Sequence, residues 1–194
     1  MKKISSLLLL SLPFFACQKE LAYQNSGVSS TATVANALAN SSDLNSSSYM
    51  NVKIGNELAS FNSSSAATVS ALGAGKSLKL VASIDNGANS TESIQLFINF
   101  LSGSPAAGTY AQGDRSFSYV MNGVYKTGEE NTAYSAGLTP SSEQPLSVTI
   151  TSITDTEIKG TFKGAFYKHN LSTGEITSSE FISFTEGAFT LPVK

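Results

Sequence analysis

The side chains that could carry chemistry are few. His169 is the only imidazole in the chain. A Ser-His-Asp triad would need it beside a serine and a carboxylate, on a rigid shelf with oxyanion donors. Its surroundings, Lys168-His169-Asn170-Leu171-Ser172-Thr173-Gly174, read instead as a hairpin loop after a strand over 160–167, which predicts a solvated ring. No Gly-x-Ser-x-Gly elbow is present. Two facing carboxyl groups could hydrolyse a glycoside. The closest pairs are Asp155 with Glu157 and Glu129 with Glu130. Both read as loop charges, without the apolar surroundings that raise a carboxyl pKa. Gly73-Ala74-Gly75-Lys76-Ser77 ends like a phosphate loop, but Ser70 stands where that motif needs its first glycine, so the segment reads as a turn. Asp85-Asn86-Gly87 lacks calcium-loop spacing and also reads as a turn. One Cys and one His exclude a zinc site of several such ligands. The expectation is a protein without catalytic residues, metal or cofactor.

Aromatic residues are the more informative class. There are 11 Phe and 7 Tyr, and Tyr110, Tyr119, Tyr125, Tyr134 and Tyr167 fall in the folded part. Such rings either stack on a sugar or anchor a protein partner, or they cap a β core with their hydroxyls at its surface. The second reading is the commoner one.

These residues need strands to hold them. Met50, Val52 and Ile54 alternate with polar residues and run into Gly55-Asn56, a tight-turn pair. Leu78, Leu80, Ala82 and Ile84 alternate, as do Ile94, Leu96, Ile98 and Phe100, with Phe97 and Leu101 on the opposite face. Phe117, Tyr119 and Met121 lead into Asn122-Gly123, a strong hairpin-turn signal. Leu146, Val148 and Ile150 follow, then Ile158, Gly160, Phe162, Gly164 and Phe166, and finally Phe189, Leu191 and Val193. Side chains repeat every two residues along a strand, so each run is a half-buried strand. Helical spacing is scarce after residue 49. The pattern predicts an all-β domain over 49–194, an antiparallel β-sandwich or barrel-like sandwich of about nine or ten strands. Gly160 and Gly164 mark a bulge or a close approach beneath an aromatic ring.

Composition narrows the partners. Lys and Arg total 12 against 14 Asp and Glu, for a net charge of −2, so no basic surplus exists for nucleic acid. Before the domain, residues 17–48 are rich in Ser, Asn, Ala and Thr and cannot bury enough surface to offset ordering entropy. They read as a tether, with a short helix over 33–40 as an alternative for that stretch. A flexible linker of this length reaches on the order of 30 Å.

The first sixteen residues form a leader. Lys2 and Lys3 precede an apolar run from Leu7 to Ala16, too short for the ~20 residues a membrane helix needs. Phe15-Ala16-Cys17 ends the run, and a small residue directly before the chain's single Cys resembles the lipobox of bacterial lipoproteins. That resemblance implies cleavage before Cys17, a diacylglyceryl group on its thiol and an acyl group on its new amino terminus. One acyl chain holds a protein only marginally, whereas several anchor it durably. Gln18-Lys19-Glu20 resembles the export signal of Bacteroidetes surface lipoproteins, which implies the outer membrane, with the cell-surface face preferred over the periplasmic one.

The segment from Leu146 to Phe166 and the later Thr185-Glu186-Gly187-Ala188-Phe189-Thr190-Leu191-Pro192-Val193 resemble small Bacteroidetes lipoproteins with a domain of unknown function. Met50-Asn51-Val52-Lys53-Ile54-Gly55-Asn56 resembles their opening strand and turn, and Gly108-Thr109-Tyr110 a recurring segment. The Trp usual in their first hairpin is missing at Glu57-Leu58-Ala59. The resemblance implies an all-β lipoprotein domain and no particular activity. The expected role is a non-catalytic binding or surface-interaction module for a glycan or protein. The alternative is an accessory subunit of a cell-envelope complex.

Overall fold

The computed structural model describes residues 48–85, 91–113, 118–129, 131–137 and 144–194. Cys17, the leader over 1–16, the tether up to residue 47 with its expected helix over 33–40, Asn86, Gly87, Phe117 and Glu130 lie outside the described residues. Eleven strands form: β1 (Tyr49–Ile54), β2 (Glu57–Phe61), β3 (Ser64–Leu72), β4 (Gly75–Asp85), β5 (Thr91–Phe100), β6 (Gly108–Ala111), β7 (Tyr119–Lys126), β8 (Thr132–Ala136), β9 (Ser147–Ile153), β10 (Glu157–Asn170) and β11 (Ile176–Pro192). The class is all-β, as the alternation requires, with eleven strands in place of nine or ten. β3 and β8 are among the strands that carry no clear apolar run, because Ala, Ser and Thr give them little alternation. Their neighbours supply the ladder partners that make them strands.

The strands join in one curled antiparallel sheet with the order β2-β1-β11-β10-β8-β7-β5-β4-β3, and β9 and β6 branch from β10. The branch explains the curl. The first part of β10, Ile158–Lys163, pairs with β9, while Tyr167–Asn170 pairs with β8. One long strand thus serves two walls. Between Phe162 and Gly164 its ladder with β11 shifts register, and such an irregularity bends a strand. The walls face each other across one apolar core. Phe61 of β2 meets Tyr125 of β7 edge-on at 6.3 Å, and Tyr125 meets Phe184 of β11 at 5.3 Å. Phe166 and Phe184 stack at 4.4 Å. Leu78, Leu80, Ile94, Leu96 and Ile98 fill one wall's inner face, and Val148, Ile150, Ile158 and Leu191 fill the other's.

Glycine sets how closely these layers meet. A Cβ on Gly160 would run into the Thr149 carbonyl oxygen and lie 2.6 Å from the Phe189 ring, the close approach its position in the sequence predicts. Gly123 is a correction. Asn122-Gly123 is not a turn but lies within β7, where Gly123 pairs with Leu96 and Ala136. A Cβ there would sit 2.8 Å from the Phe166 ring. The glycine is needed for space, and local turn propensity yields to packing.

The turn at Gly55-Asn56 forms where expected, with φ of +63° at Gly55. Of the segment Gly73–Ser77 only Gly73-Ala74 turns, with φ of +56° at Gly73; Gly75, Lys76 and Ser77 already belong to β4, because two residues suffice to reverse the chain and the rest pair with β3. Both turns close two-residue hairpins, whose first loop position favours glycine.

Candidate functional site

His169 is the main correction at the site level. It is not in a loop but near the end of β10, paired with Ala133 of β8 and Ile176 of β11. The turn begins later, where the Asn170 side-chain oxygen accepts the Ser172 and Thr173 amides at 2.9 and 3.1 Å. The ring is half-buried, and its Nδ1 lies 2.9 Å from Ser135 Oγ. Ser135 is 1% exposed. A serine beside a histidine is the start of a nucleophile–base pair. Here the hydroxyl is closed off from any substrate, so the contact satisfies a buried polar group. Sequence spacing could not pair residues that only β8–β10 register brings together.

Glu157 begins β10 and bonds Lys159 at 2.9 Å, while Asp155 stands in the exposed β9–β10 turn. Glu129 is exposed between β7 and β8. Glu186 pairs with Lys53 at 2.7 Å, and Glu180 with Lys168 at 2.8 Å. Hydrogen bonding to Glu157 raises the Lys159 pKa from its ordinary 10.5, and Glu180 does the same for Lys168. Among the described residues no three His, Cys, Asp or Glu side chains gather as a metal-ligand set. No described helix is long and apolar enough to cross a membrane.

Most of the tyrosines cap the core. The Tyr110 hydroxyl donates to the Ala106 carbonyl at 2.8 Å, and the Tyr119 hydroxyl to Ala111 at 3.2 Å. Tyr125 donates to Glu92 at 3.0 Å, and Tyr134 packs against the core beside it. At the β6 end the Tyr110 ring meets Phe100 and Tyr119 edge-on, while Phe100 and Tyr119 are tilted to each other. Tyr167 differs. It neighbours the buried Phe166 on β10 and so lies on the outward face, 5.7 Å from the Phe181 ring, which is 53% exposed. Phe97 lies outward on β5 with the Lys79 ammonium 5.4 Å above it.

Two open depressions mark the surface. One, of about 380 Å³, lies along β9, β10 and β11 and is lined by Thr149, Thr161, Lys163 and Glu186 among others. The other, of about 400 Å³, lies between the β3 edge at Val69 and the β9–β10 turn at Ile153–Asp155, with Lys76, Pro105 and Val193 on its walls. Neither encloses a ligand as a buried cleft would.

Comparison of the chain with family models, curated proteins and solved structures found no match.

Proposed function

We propose that this chain is an outer-membrane lipoprotein, anchored through lipid on Cys17, whose β domain is a non-catalytic surface-interaction module. The observation that supports it best is where the polar chemistry goes. Ser135 and His169 satisfy each other, and the hydroxyls of Tyr110, Tyr119 and Tyr125 bond within the domain. Among the described residues, strand edges and scattered exposed apolar side chains such as Leu58, Leu72 and Phe181 also lie outward, the features by which proteins meet other proteins. A protein ligand is therefore favoured over a glycan, because most rings that could stack on sugar are engaged in the core. The resemblance to Bacteroidetes lipoproteins favours the cell-surface face. The accessory-subunit reading draws on the same surface and differs only in the partner's permanence.

The anchor is tested by metabolic labelling with a palmitate analogue. The chain should carry label in the envelope fraction, and Cys17→Ser should lose it. Label at the original level on the variant would contradict the anchor. The ligand class is tested by a glycan array against cross-linking in intact envelopes. Specific array binding would replace protein by glycan.

A further inference from the structure

Among the described residues the sheet has three strands with an open side, and they are not alike. β2 has 5 residues and carries Glu57, and β6 has 4 residues. Shortness and charge are how natural proteins blunt an edge against pairing. β3 has 9 residues, Ser-Ser-Ala-Ala-Thr-Val-Ser-Ala-Leu, with no charge and no proline. It pairs with β4 in unbroken register from Ser64↔Ser83 to Leu72↔Gly75. A long, regular, uncharged edge is the form that protection normally removes.

Backbone direction follows from the ladder. In an antiparallel pair alternate residues bond to the partner, and those between them face away. The Ala67 carbonyl accepts the Lys194 amide at 2.9 Å from the side away from β4, next to the parallel bridge of Ala67 with Val193. Ala67 therefore faces the open side, and by the period of two so do Val69 and Ala71. Among the described residues no strand pairs with β3 on that side beyond Ala67. Leu72, at 44% exposed, adds apolar surface at the far end. The adjoining depression holds one cation, Lys76, and one anion, Asp155. Neither joins a salt bridge among the described residues. A patch balanced in this way is complementary to itself, and it favours neither a polyanion nor a polycation.

We infer that the open edge of β3, over Thr68–Leu72, pairs with the same edge of a second copy of this chain about a two-fold axis at Ser70. With Ser70 opposite its counterpart, the Val69 amide donates to the Ala71 carbonyl of the second copy. The Ala71 amide donates to the second copy's Val69 carbonyl, and symmetry repeats both bonds. Thr68 then lies opposite Leu72 of the other copy, so the methyl group and the exposed leucine cover each other. Such an isologous contact closes on itself and stops at the dimer. The inference goes beyond the interaction-module reading and stands whether or not the chain has another ligand.

Sedimentation velocity of the whole chain in detergent, over rising concentration, tests it. The chain should shift from monomer to dimer. Ser70→Lys and Ser70→Glu each place like charges directly opposite at the axis, which should weaken the dimer at least ~10-fold. Ser70 is exposed on the outward face, so both variants should melt like the parent chain. Mixing the two variants should restore a dimer, since Lys then faces Glu. A parent chain that stays monomeric throughout would overturn the inference. So would variants that dimerise with unchanged affinity, or a mixture no tighter than either variant alone.

Discussion

The β10–β11 seam and the β3 edge are built from opposite materials. Along β10, glycines alternate with aromatic and aliphatic residues, and each missing Cβ is filled by a neighbour: Phe189 over Gly160, Leu146 against Gly164. Both sides of β10 carry ladder partners along most of its length. β3 has small residues too, but from Ser70 to Leu72 the strand is exposed, and among the described residues only one of its sides is fully paired. Small side chains therefore mean two things in this molecule. Where two faces converge on them they allow close packing. At an edge they leave backbone groups accessible. The difference lies in what the rest of the chain brings alongside.

The seam is where a substitution costs most. Phe162→Ala removes a ring that is 3% exposed and touches Phe189 at 6.4 Å between centroids. It should cost about 3–5 kcal/mol, read as a large loss in chemical unfolding. Gly160→Ala adds one carbon where the Thr149 carbonyl and the Phe189 ring already stand. About 1–3 kcal/mol is expected from such overpacking. A neutral Gly160→Ala would mean that β9 and β11 can part at the seam.

His169→Ala should cost less than Phe162→Ala at the seam. Read as a loop residue, His169 should be replaceable with less than ~0.5 kcal/mol of effect. Its place in β10 changes that expectation, because the buried Ser135 hydroxyl loses its partner at 2.9 Å. Stranding such a group costs about 1–3 kcal/mol, and the double variant His169→Ala, Ser135→Ala should recover part of the loss. If His169→Ala melts like the parent while Ser135 stays dry, the contact contributes nothing to stability.

The smallest effect concerns charge. The raised pKa values of Lys159 and Lys168 stabilise the folded state while these lysines are protonated, and that contribution is lost only as pH rises through their folded values, above 10.5. Both pairs are exposed, where ion pairs contribute little. The melting temperature should therefore be nearly flat as far as these pairs go between about pH 6 and about pH 9.

Much of the fold was legible because burial writes itself as period two. Leu78-Leu80-Ala82, Ile94-Leu96-Ile98 and Ile158-Gly160-Phe162 each form the strand their alternation predicts, with those side chains inward. β3 and β8 were not legible, since Ala and Ser bury too little area to leave a pattern. The Asn122-Gly123 signal misled because a dipeptide reports local preference, whereas the Phe166 ring above Gly123 is a long-range fact. At the site level, the sequence named His169 and the tyrosines but could not say what they touch. Ser135 reaches His169 through strand pairing, and the open side of β3 is defined by which strands are absent beside it. Neither quantity exists along a single chain.

The proposed pairing of β3 with a second copy buries backbone groups at a strand edge and not in an enclosed pocket. Residue-resolved amide exchange at two protein concentrations tests it most directly. Gly160 and Phe162 should be protected at both. Ser70 and Leu72, whose amides face β4, should not change. Val69 and Ala71 should exchange freely when the protein is dilute and slow as the concentration rises. If Val69 and Ala71 are as protected as Gly160 in dilute protein, or exchange freely at every concentration, the edge is not where the domain engages.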